Sequence, residues 1–223
     1  MSDGLSNPWS ALPETAPFVL PGDAPDIEIF NASAAEIHKL RLQIVPEPYL
    51  GNPDASVVFL TLNPGFVEAD TPVHLDPVFN TAARANLLHA RERWPLYLLD
   101  PALPSPGHDW WMRRLRPLID AVGSAETVSE NVFVAEVHGY HSVKYRHQSA
   151  LLPSQAYTIH LVRRAIDRDA QFLIMRAGSI WLDLVPELRD ARCVRLNSAQ
   201  NVTVSPRNCP AGFATIVARV RES

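Results

Sequence analysis

Hydrophobic and polar positions alternate along this chain in two registers, short unbroken apolar runs and longer stretches with helical spacing. Ser56-Val57-Val58-Phe59-Leu60-Thr61-Leu62 is an almost continuous apolar run rich in β-branched residues, the pattern of a strand covered on both faces. Asn131 to Val137, Gln171 to Met175 and Cys193 to Leu196 repeat it. Between these runs the spacing changes. Ser33-Ala34-Ala35-Glu36 reads as a capping box, with Ile37, Leu40 and Ile44 following at helical spacing until Pro46. A helix is expected near Thr81 to Arg93. Another is expected after Asp109, with Trp111, Leu115 and Leu118 or Ile119 on its apolar side and a kink allowed at Pro117. Ser154 opens a helix through Ile159, Val162 and Ile166, Ser179 to Leu188 reads as a short one, and Gly212 to Ala218 begins a last one.

Strands alternating with helices predict a parallel sheet covered on both faces. Residues 1–30 hold Pro8, Pro13, Pro17, Pro21 and Pro25 and read as an extended arm, leaving 31–223 as a single α/β domain. In such sheets ligands bind outside the carboxyl ends of the strands, so the loops at Asn63, at His138 to Tyr145 and at Thr203 to Asn208 should converge. Composition fits this reading: 47% of residues are hydrophobic, enough to fill a core. No apolar run spans a bilayer and no secretory signal opens the chain, so no membrane partner and a cytoplasmic location are expected. Cys193 and Cys209 are too few for a four-cysteine metal or cluster site, and no cofactor or metal is expected. The net charge of −4 hides an asymmetry: residues 1–80 carry 2 Lys/Arg against 11 Asp/Glu, the remainder 18 against 13. The second part can therefore present a basic face, which permits contact with DNA but also describes ordinary solvated helices.

The chemistry-bearing loops sharpen the picture. Asn63-Pro64-Gly65-Phe66 follows a strand directly, where Pro fixes φ and Gly allows a tight turn, holding the Asn amide at the strand end. Ser205-Pro206-Arg207-Asn208 follows the fourth strand. Thr61 to Gly65 resembles the first motif of the uracil-DNA glycosylase superfamily, and Ser205 to Asn208 is similar to the end of the second motif of its single-strand-selective branch. The resemblance implies a three-layer α/β/α sandwich with a four-stranded parallel sheet, hydrolysing the N-glycosidic bond of a flipped-out base in DNA or another nucleobase-containing ligand. On that basis Asn63 would position the attacking water, Phe66 would stack on the base, Glu136 would read its edge, and Ser205, Arg207 and Asn208 would lie on the DNA backbone; independently of the resemblance, Arg176 at the end of the third strand, with Lys144, is a candidate phosphate contact. The family's first Gly is Thr61 here, its catalytic His falls on Thr203 and the next Pro on Val204, and Glu136 stands where the family has an Asn.

The loop from His138 to His147 is the densest run of titratable groups, and three roles stay open for it. His141 with Tyr140 and Lys144 could line the pocket and supply the acid/base group that Thr203 lacks. His138, His141 and Glu136 could bind a metal, or the loop could be structural. Trp110 and Trp111 read as core. No Gly-x-Ser-x-Gly elbow, P-loop or Gly-x-Gly-x-x-Gly is present. Three functions follow: a divergent glycosylase, a binding module for nucleic acid or protein on the same fold, and a small-molecule enzyme using His141. A basic groove joining Arg207, Arg176 and Lys144 would favour the first two, and a deep pocket around His141 without that groove the third.

Overall fold

A computed structural model describes residues 5–148 and 151–222. Five strands form one mixed sheet: β1 (Tyr49–Leu50), β2 (Val57–Thr61), β3 (Val132–Glu136), β4 (Gln171–Ile174) and β5 (Cys193–Arg195), in the order β1-β3-β2-β4-β5. The four apolar runs are the four parallel strands, with Val57 opposite Val132 and Gln171, and Ile174 opposite Arg195. The expectation of a purely parallel, four-stranded sheet is overturned by β1. It pairs antiparallel with β3, Tyr49 opposite Ala135 and Leu50 opposite Val134. Two residues between Pro48 and Gly51 give no periodicity, so their pairing comes from tertiary contacts. The Asn86 amide accepts from Gly51 N–H (3.0 Å) and donates to the Tyr49 carbonyl (2.8 Å), holding the segment on its free edge. Gly51 closes it at φ +95°, where an added Cβ would lie 2.4 Å from the Val132 carbonyl oxygen.

The helices are α1 (Ala24–Ser33), α2 (Asp70–Leu75), α3 (Pro77–Leu87), α4 (Pro106–Val122), α5 (Ala125–Asn131), α6 (Gln155–Asp167), α7 (Gly178–Leu184) and α8 (Phe213–Glu222). The chain leaves β2 toward β3 on one side and then crosses from β3 back over β2 to β4. With right-handed crossovers, these two connections lie on opposite faces of the sheet. Contacts agree: α4, α5 and α8 pack on one another, whereas α6 packs with the 3-10 turn Pro186–Arg189 that follows α7.

Several sequence expectations need correction. The helix drawn from Ser33 to Ile44 is a single 3-10 turn, Glu36–His38, because the true helix lies earlier and ends at Ser33. Over its described residues, 5–30, the expected N-terminal arm is not simply extended: α1 starts at Ala24, and Trp9, Leu12, Phe18, Leu20 and Ile27 are buried in the same core as the sheet. The α4 helix is capped by Ser105, whose Oγ accepts from His108 N–H at 2.9 Å, not by Asp109, and it continues through Pro117 to Val122. Ser154 precedes α6 without a side-chain cap; its N–H donates to the buried Asp23 carboxylate (3.0 Å). Among the described residues, no helix is long and apolar enough to cross a membrane.

Candidate active site

Beyond the last strand residues the β2 and β3 chains stay side by side. His138 N–H donates to the Leu62 carbonyl (3.0 Å), Ser142 N–H to that of Pro64 (3.3 Å), and Gly65 bridges Ser142. Arg176 N–H reaches the Leu60 carbonyl (3.2 Å), which brings the exit of β4 to the same end. Because β1 runs antiparallel, the residues before it also arrive there: Glu136 N–H donates to the Pro48 carbonyl and Glu47 N–H to that of Gly139. A cavity of about 580 Å³ opens at this junction. It lies where connections from neighbouring strands depart to opposite faces, the crevice such sheets use for ligands.

Its apolar wall includes Leu50, Phe66, Phe79, Leu98, Trp110 and Trp111. Trp110 and Trp111 therefore face the cavity as well as the core. Asn63 also lines it, its amide N–H group donating to Ser142 Oγ (3.0 Å) and to the Pro64 carbonyl (2.9 Å). Polar groups of opposite character occupy the remaining wall. Glu47, Asp70, His74, Glu136 and His141 are buried, Arg176 is half-buried, and Lys144 is exposed at the solvent side.

The buried groups are held individually. The His141 ring places Nδ1 2.7 Å from the Gly65 carbonyl, which can only accept, so Nδ1 carries the proton and Nε2 presents a lone pair. That Nε2 is buried with no hydrogen-bond partner, 3.7 Å from Glu47 Oε2. The other Glu47 oxygen accepts from the buried Tyr97 hydroxyl. His74, on α2, packs edge-on against Phe79 and His141, and its Nδ1 also lacks a partner. Asp70 sits one turn earlier on α2 and accepts from Val67 N–H at 2.7 Å.

Burial dominates the electrostatics. It pushes the Glu47 carboxyl up to about 7, against the Tyr97 hydroxyl, and the Glu136 carboxyl up to about 8, against the Thr61 hydroxyl and Arg176. Glu136 Oε2 has no partner. His74 is held well below the ordinary imidazole range by burial and then by His141. His141 is lowered by burial, with the Gly65 carbonyl, Asp70 and the Val45 backbone opposing. At neutral pH the site thus holds neutral imidazoles with free lone pairs and a protonated Glu136 carboxyl able to donate.

Of the residues singled out in the sequence, Asn63, Phe66, Glu136, His141, Lys144 and Arg176 line this cavity. The others do not. The Tyr140 hydroxyl donates to Asp23 Oδ2 (2.8 Å) and accepts from Leu20 N–H (3.2 Å), tying the N-terminal segment to the loop. His138 accepts from Tyr140 N–H at Nδ1 and pairs with Gln148 through Nε2, so it takes no part in a metal site with His141 and Glu136. The Thr203 hydroxyl bonds to Asn201 and Arg114. The Asn208 amide clamps the carbonyls of Asn201 and Thr203, and Ser205 Oγ receives Asn208 N–H, while Arg207 is exposed outside the cavity wall. The Ser205–Asn208 loop therefore braces itself instead of reaching the pocket.

Sequence reasoning missed Glu47, Asp70 and His74. Asp70 and His74 carried a faint signal, since a four-residue spacing places both on one helix face. Glu47 carried none, because its position depends on the antiparallel edge strand. Compared with protein-family models, curated proteins and solved structures, the chain matches none.

Proposed function

We propose that this protein is an enzyme acting on a small molecule enclosed in the cavity at the ends of β2 and β3. One observation carries the reading: His141, Glu47, Glu136 and Asn63 converge on one largely apolar pocket, and no side chain of the Ser205–Asn208 loop lines it. A groove continuous with Arg207 would have favoured a polymer substrate. The aromatic wall suits a planar ring, and Lys144 and Arg176 suit an anionic group attached to it. Glu136, buried and protonated at neutral pH, acts as proton donor to the departing or charge-accumulating atom. Asn63 is held rigidly enough to orient a water molecule or substrate oxygen.

A second reading keeps the flipped-out base, because Asn63, Phe66 and Glu136, which the resemblance assigns to water and base, line the same cavity. One experiment separates the two. Full-length protein is incubated with a panel of nucleosides, nucleotides and other heteroaromatic anions, and in parallel with single- and double-stranded DNA containing uracil or hypoxanthine. Turnover of a free small molecule that is lost in both Glu136→Gln and Asn63→Ala supports the first reading. Excision from DNA with the same dependence replaces it with the second, and turnover of either kind that is unaffected by both substitutions refutes the cavity as the active site.

A further inference from the structure

From the positions of Glu47, His74 and His141 we infer that the three side chains form a binding site for a single divalent transition-metal ion of the zinc class. The inference rests on the proposed function only for the ion's place in catalysis; the site is argued from these three residues alone. One ligand atom from each lies within 4.8 Å of the others, and all three residues are buried. Around a zinc ion with bonds of about 2.0–2.1 Å, neighbouring ligand atoms in a tetrahedron sit about 3.4 Å apart. The His141 Nε2 to Glu47 Oε2 separation of 3.7 Å is within a small adjustment of that.

The orphaned atoms point the same way. Buried polar atoms almost always find partners, yet His141 Nε2 and His74 Nδ1 have none. The partners that do exist are those that orient metal ligands. The Gly65 carbonyl fixes His141 in the tautomer with a free Nε2 lone pair, and the Tyr97 hydroxyl holds one Glu47 oxygen so that the other faces His141. Two imidazoles and a carboxylate match the ligand set of catalytic zinc, which keeps a fourth position open. All three side chains line the cavity, so that position faces the space assigned to substrate. Asp70, one turn before His74 on α2 and tied to Val67 N–H, lies beside the cluster.

The test needs no substrate. Full-length protein is stripped with a chelator and titrated with Zn²⁺ by calorimetry and with Co²⁺ by visible absorption, alongside His74→Ala and Glu47→Gln. The expected result is one equivalent bound by the wild type, with ligand-field bands of low-coordinate Co²⁺, a raised melting temperature, and affinity reduced on the order of a hundredfold or more in each variant. Glu47→Gln preserves shape and guards against a folding artefact, and the far-ultraviolet spectra of stripped wild type and variants should coincide. Failure of the wild type to bind either ion, or binding that persists unchanged in both variants, overturns the site. Neither result bears on Glu136-dependent turnover, so loss of the metal site and loss of the proposed enzyme are read separately.

Discussion

Replacing Glu136 with Gln should make the protein more stable, and increasingly so as pH rises. The carboxyl is fully buried, with Glu47 and Arg176 the charged groups acting on it and the Thr61 hydroxyl beside it. Its folded pKa, about 8, lies above the ordinary value of 4.5. The stability associated with the neutral form is complete below pH 4.5 and is lost as pH rises toward 8, because the unfolded chain ionises first. The loss amounts to about 1.4 kcal/mol per pH unit, or on the order of 5 kcal/mol across the whole interval. Glutamine keeps the shape and cannot ionise, so the difference between variant and wild type isolates this group while Glu47 and Arg176 act in both. Urea unfolding at steps from pH 5 to 9, in chelator, reads it: with a slope of about 2 kcal/mol per molar urea, the two midpoints should diverge by about 2 M between pH 5 and 8 and run parallel above. Midpoints that stay parallel throughout would refute the account of Glu136 as a neutral, buried acid.

Two further substitutions test the frame. Tyr140→Phe removes the partner of Asp23 Oδ2 and of Leu20 N–H, leaving Ser154 N–H on the other Asp23 oxygen, and should destabilise by about 2 kcal/mol in the same urea assay, while Zn²⁺ affinity stays within about twofold because the ring does not line the cavity; a changed affinity would place Tyr140 in the site after all. Gly51→Ala forces a left-handed backbone onto a residue whose Cβ would meet the Val132 carbonyl at 2.4 Å, and should reduce stability by at least about 3 kcal/mol on thermal unfolding. A neutral outcome there would mean that the β1 edge repositions easily, and with it Glu47.

The amino-acid order alone showed the three inner parallel strands, since a strand buried on both faces must be apolar at nearly every position and few other elements write that pattern; the half-exposed edge strand β5 was legible only from its short apolar run. The sequence also foreshadowed α6 and most of α4, whose apolar residues recur at helical spacing, and it placed Glu136 at the end of β3 and Asn63, Phe66 and His141 in the loops beyond the strands, because ligands of such sheets gather at strand ends. Tertiary structure decided the rest. A two-residue strand has no period to read, so β1, and the arrival of Glu47 opposite His141, follow only from pairing with β3. Which way a loop histidine turns depends on the partner that waits for its ring: the Gly65 carbonyl draws His141 to the cavity, whereas Tyr140 N–H, donating to Nδ1, and Gln148 hold His138 buried away from it. The Ser205–Asn208 loop shows the same limit, its local sequence fitting a contact surface while its hydrogen bonds close on itself.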